Sequence, residues 1–136
     1  MSNKLKHTVL IVDDDADDRE SIRDAFLENK HHHDYTFIHN GDHLIEHLDE
    51  NVKKHPTLIL LDLNMPGRDG REILKQIKMD KALQPIPIII LTTSASEHDR
   101  KTSYQLGANC FITKPDSYKD LLEITDSIAK LWFINN

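Results

Sequence analysis

The fold this sequence predicts is an α/β domain built on a doubly wound parallel sheet, and three observations predict it. Val9 to Val12, Leu58 to Leu61 and Ile88 to Leu91 are short apolar runs without alternation, the pattern of strands covered on both faces. Stretches with apolar residues at helical spacing lie between them. The order strand then helix recurs five times along 136 residues, a length that holds one such domain and no substantial second one.

The elements follow in order. Val9 to Val12 runs into Asp13 and Asp14, after which Ile22, Ala25 and Phe26 mark a first helix. Tyr35 to Ile38 is a weaker strand, followed by a helical stripe of Leu44, Ile45, Leu48 and Val52. Leu58 to Leu61 ends at Asp62 and a turn containing Asn64, Pro66 and Gly67, with Ile73, Leu74 and Ile77 on the next helix. Ile88 to Leu91 ends at Thr92 and Thr93. The helix after it, from Glu97 to Leu106, has only Tyr104 and Leu106 as bulky nonpolar residues, so its hold on the core is expected to be thin and its face open to partners. Cys110 to Ile112 precedes Lys114 and Pro115, and Leu121, Ile124, Ile128, Leu131 and Trp132 form the last stripe, where Trp132 and Phe133 serve as core cover or as an interface patch.

Composition narrows the function classes. A formal net charge of -6, with no run of Lys and Arg, disfavours an electrostatic grip on nucleic acid. Cys110 is the only cysteine, so an internal disulfide is excluded, and it is expected to be buried and inert. The first residues lack a signal-peptide pattern and no apolar run is long enough to span a bilayer. The expectation is a cytoplasmic protein with no membrane contact, a single domain over 1–136 with its core at about 7–132, and no effector domain. Adjacent His31, His32 and His33 cannot all point one way and read as a solvated loop rather than a metal site.

In parallel sheets of this kind, ligands bind beyond the carboxyl ends of the strands. Asp13, Asp14, Asp62, Thr92 and Lys114 all fall there. Clustered carboxylates raise one another's pKa and cost stability, so a cation is needed. Carboxylate and carbonyl oxygens suit Mg²⁺, with Asp14, Asp62 and a backbone carbonyl near Asn64 as the set. Asp62 then suits the role of a nucleophile toward phosphorus, with the Thr92 hydroxyl and Lys114 ammonium directed at phosphoryl oxygens.

The segments VLIVDDDADDRE, LILLDLNMPGRDG, IIILTTSAS and GANCFITKPDS together resemble the receiver domains of two-component response regulators along essentially the whole chain. The resemblance implies a flavodoxin-like (βα)5 fold with strand order 2-1-3-4-5. It makes Asp62 the phosphoacceptor, Asp14 a direct Mg²⁺ ligand, Asp13 a ligand acting mostly through water, and Asn64 the carbonyl donor. It makes Thr92 the switch hydroxyl, Phe111 the switch aromatic and Lys114 the phosphoryl contact, with a cis bond at Pro115. Thr93 stands where the family often has alanine, and Phe111 lacks the hydroxyl of the more frequent tyrosine. The implied partners are a sensor histidine kinase or a phosphotransfer protein and a downstream target, with a homodimer through the fourth helix, fifth strand and fifth helix as an alternative output. The implied function is a phosphorylation-dependent switch rather than a turnover enzyme. LTTS, GANCFITKP and the connection at 51–56 are similar to single-domain regulators partnered with phytochrome-type kinases.

Competing readings attach to the same residues. Asp15, Asp17 and Asp18 read as an acidic turn that starts the first helix. One of Thr92, Thr93 and Ser94 suits a helix cap, while Asn64 and Ser94 are expected to flank the phosphoryl group. A small Mg²⁺-dependent phosphatase resembling the haloacid dehalogenase superfamily would make Asp13 the nucleophile, but Ala16 and Asp17 break its motif and Asp62 has no task in it. A receiver-like module without phosphorylation is a third reading, disfavoured because every expected polar residue is present. A flavin carrier is weaker still, because the acidic first loop would repel a phosphate.

Overall fold

The computed structural model describes residues 6–133. Five strands alternate with five helices: β1 (Thr8–Val12), α1 (Ala16–Glu28), β2 (Asp34–Ile38), α2 (Gly41–Glu50), β3 (Leu58–Leu61), α3 (Gly70–Met79), β4 (Ile88–Thr92), α4 (Glu97–Gln105), β5 (Cys110–Thr113) and α5 (Tyr118–Trp132). All pairings are parallel and the order is β2-β1-β3-β4-β5. This is the doubly wound sheet the sequence predicts, in the flavodoxin-like order the resemblance implies.

The apolar runs lack alternation because both sheet faces are covered. Leu10, Val12, Ile59, Leu61, Ile88 and Ile90 meet α2 and α3 on one face. Val9, Ile11, Leu58, Leu60, Ile89 and Leu91 meet α1 and α5 on the other. Each helix begins at a side-chain cap: Asp15, Asn40, Asp69, Ser96 and Ser117 each accept a backbone N–H from the first turn. For α4 that cap is Ser96, rather than Thr92, Thr93 or Ser94, because the chain runs several residues beyond β4 before turning helical.

Several expectations are corrected. Val52 lies beyond the end of α2 and is exposed, and Leu131 faces outward from the last turn of α5. Cys110 is half-buried rather than buried, because β5 is an edge strand with helix cover on only part of that face. His31 and His33 are half-buried rather than fully solvated. As alternate residues they share one side, where His31 pairs with Asp126 at 2.9 Å and both rings meet Phe133 edge-on, while His32 points to solvent. Phe133 is core cover, packed near Phe26, and Trp132 is half-buried along a groove beside Cys110 and Ile112.

The thin hold of α4 is borne out. Ser103 is its one buried side chain, and Tyr104 is exposed. No described helix is long and apolar enough to cross a membrane.

Candidate functional site

Parallel strands bring their carboxyl ends to one rim, so residues far apart in sequence meet there. Asp13 follows β1, Asp62 follows β3, Thr92 closes β4 and Lys114 follows β5. Asp13 and Asp62 are buried while Asp14 is exposed. Ligand oxygens of these three carboxylates lie within 4.8 Å of one another, a donor set that fits a hard divalent cation.

Backbone hydrogen bonds fix the frame. The Asp13 N–H donates to the Ile38 carbonyl, the Asp62 N–H to Val12 at 3.0 Å and the Lys114 N–H to Thr92 at 2.7 Å. Asp62 Oδ1 accepts the Asn64 N–H at 3.2 Å, which turns the chain directly after the carboxylate. Gly70 passes so close beneath that a Cβ there would fall 2.5 Å from the Asp62 carbonyl oxygen.

Lys114 supplies the counter-charge. Its Nζ donates to Asp13 at 2.7 Å, to Asp18 at 2.8 Å and to Asp62 at 3.3 Å. Burial alone would lower this ammonium's pKa, but bonds to Asp13 and Asp18 outweigh it and raise the pKa above the usual lysine value. Burial pushes the Asp13 carboxyl up, against the opposing pull of Lys114 and of the Asp15 N–H. Taking up a cation is one way for such a carboxylate to gain the stabilisation that burial removes.

Thr92 is fully buried, and its hydroxyl lies 3.4 Å from the Asn64 side-chain nitrogen at the mouth of the site. Ser94, expected to flank the site, instead donates its hydroxyl to Asp99 on α4 at 2.6 Å. Phe111 is packed inward with the α2 and α3 face of the core. Among the described residues no peptide bond is cis, so the Lys114–Pro115 bond is trans, the intrinsically preferred isomer, and not cis as the resemblance implied.

Two residues went unrecognised in the sequence. Asp18, read there only as a helix-start acid, reaches Lys114 from the first turn of α1. Arg19 is buried and donates to the Asp13 carbonyl at 2.8 Å while lying 5.7 Å from the Phe37 ring centre, so it anchors the loop that carries the acidic pair. An arginine inside the polar stretch ADDRE gives no periodic signal that it is buried.

A parallel five-stranded sheet with buried aspartates and a lysine gathered at its carboxyl rim is the arrangement of a receiver-type domain. The response regulator receiver domain family matches residues 9–126, and this chain belongs to that family. Its members act as switches, not turnover enzymes, which sets the dehalogenase-like reading aside. The chain is 34% identical over 128 residues to response regulator Rcp1 of Synechocystis sp., covering 91% of this chain and 87% of Rcp1. It spans only 58% and 45% of two other curated relatives. Among solved structures, the phosphorylated cyanobacterial phytochrome response regulator RcpA superposes with a TM-score of 0.87 at 34% identity over 95% of each chain. The Mn²⁺-bound form of Rcp1 superposes with a TM-score of 0.84 at 33% identity over 96% of each.

Proposed function

We propose that Asp62 accepts a phosphoryl group from a phosphohistidine of a sensor histidine kinase. The observation that carries this reading is the buried Asp62 carboxylate beside the Lys114 ammonium, with Asp13 and Asp14 within reach of one ion. A carboxylate oxygen of Asp62 forms the new bond to phosphorus as the phosphorus–nitrogen bond of the donor breaks, and the departing imidazole nitrogen keeps the electron pair. The Lys114 ammonium binds a phosphoryl oxygen and offsets the charge gained at Asp62. Asp13, Asp14, Asp62 and the Asn64 carbonyl would hold Mg²⁺, which supplies charge neutralisation for the phosphoryl oxygens.

The buried Thr92 hydroxyl stands at the end of the adjacent strand, suited to turn toward a phosphoryl oxygen and draw the β4–α4 loop with it. Phe111, one strand further, lies in the same buried cluster as Ala108, in the part of the core next to α4 that such a loop shift would alter. The face of α4, β5 and α5 would then differ between the two states and pass the signal to a protein target or a second copy. Likeness to the phytochrome response regulator RcpA supports a kinase of the phytochrome class as donor.

Intact-mass spectrometry after incubation with phosphoramidate, with Mg²⁺ or with chelator, tests the reading. A single Mg²⁺-dependent adduct, absent in Asp62→Asn, is expected. An adduct that survives Asp62→Asn and is lost in Asp13→Asn would overturn it, as would no adduct at all while a control receiver reacts.

A further inference from the structure

Lys114 is held by a carboxylate that phosphoryl transfer to Asp62 does not require. Its Nζ lies 2.8 Å from Asp18, nearly as close as to Asp13 at 2.7 Å and closer than to Asp62 at 3.3 Å. An ammonium has three donors, so all of them are committed. The weakest of the three bonds is the one to the proposed phosphoacceptor. Asp18 belongs to α1, which makes the bridge a link from the site to a helix outside the strand rim.

We propose that Asp18 is a positioning residue that restrains phosphorylation by holding the Lys114 ammonium toward α1. This inference rests on the phosphoacceptor role of Asp62. Three carboxylates, of Asp13, Asp18 and Asp62, gather about a single ammonium. An acyl phosphate carries more negative charge than the carboxylate it replaces, so Lys114 is needed most at the point where Asp18 claims a share of it. Lys114 and Asp18 both border a small cavity of about 50 Å³, with Ile22, Leu91, Pro115 and Leu121, so the bridge between them is not close-packed. Loosening the bridge lets the ammonium settle onto a phosphoryl oxygen without displacing backbone.

An aspartate in a first helical turn also interacts with the helix dipole, which alone would explain an acid at this position. Asp17 provides the control. It shares that turn and that charge, yet it is exposed and makes no bond to Lys114.

Time courses of adduct formation with phosphoramidate and Mg²⁺ compare wild type with Asp18→Asn, Asp18→Glu and Asp17→Asn, and repeat Asp18→Asn in a Lys114→Met background. The Asp18→Asn protein is expected to react about two- to fivefold faster, the range of a partly exposed ion pair. Asp17→Asn and the charge-retaining Asp18→Glu are expected to stay within about twofold of wild type on the same scale. The gain disappears without Lys114, a coupling that a purely structural role would not show. An unchanged or slower Asp18→Asn protein overturns the proposal, as does a gain that persists in Lys114→Met. Where the Lys114→Met protein is too slow to time, an Asp18→Glu rate equal to that of Asp18→Asn overturns it. A wild type without an Asp62 adduct is a different outcome, in which the phosphoacceptor reading fails and this one falls with it.

Discussion

The Tyr104 hydroxyl accepts the backbone N–H of Phe111 at 3.0 Å, tying exposed α4 to edge strand β5. Little else of α4 is buried: Ser103 is enclosed, and its hydroxyl has no partner among the described residues. One polar bond therefore carries an unusual share of the contact between these elements. Its loss in Tyr104→Phe leaves a strand N–H unpaired and is expected to cost about 1 kcal/mol in denaturant unfolding. Amide exchange of α4 is expected to speed up relative to α3. Equal protection of α4 in both proteins would show that the hydroxyl is not what holds the helix.

The loop after Asp62 admits no side chain at Gly70. A Cβ there meets the Asp62 carbonyl oxygen at 2.5 Å and Leu63 Cα at 2.7 Å, both backbone atoms that cannot swing away. Gly70→Ala is expected to destabilise the protein by about 1 to 3 kcal/mol, the cost of forced overpacking. The start of α3 and the carboxylate-bearing turn must separate to make room, so Mg²⁺ affinity measured by titration should fall as well. A variant with wild-type stability and affinity would contradict the close approach.

Asp99 joins α4 to its surroundings by accepting from Ser94 at 2.6 Å and from Arg71 of α3 at 2.7 Å. The Ser94 hydroxyl and the Arg71 guanidinium hold the Asp99 carboxyl below its ordinary pKa of 3.8. A carboxylate with a depressed folded-state pKa stabilises the fold fully above its unfolded value and loses that contribution as pH falls through the folded one. The stability difference between wild type and Asp99→Asn should thus be largest near neutral pH and shrink below pH 3.8. Thermal unfolding across that range checks the sign, and a difference that grows in acid would reverse it.

Much of this architecture is legible in the chain because its information is local. Leu58 to Leu61 reads as a doubly covered strand from four residues, and the carboxylate that follows must stand at the strand's end. Asp13, Asp14, Thr92 and Lys114 are placed by the same logic, since parallel strands share one carboxyl rim whatever lies between them. The sheet order came from resemblance to a family, because parallel strands with interchangeable apolar faces do not encode their neighbours.

By itself the sequence determined the five strand–helix repeats and which residues reach the rim. Only the tertiary structure decided which of them touch. Asp17 and Asp18 are indistinguishable as letters in one helical turn, but the helix rotation sends Asp18 to a lysine 96 residues away and leaves Asp17 in solvent. Likewise His31 and His33 close on Phe133 because α5 happens to end beside β2's approach. The reason is range: periodicity and turn chemistry act over a few residues, whereas pairing between side chains depends on distances of a few ångströms that packing alone sets.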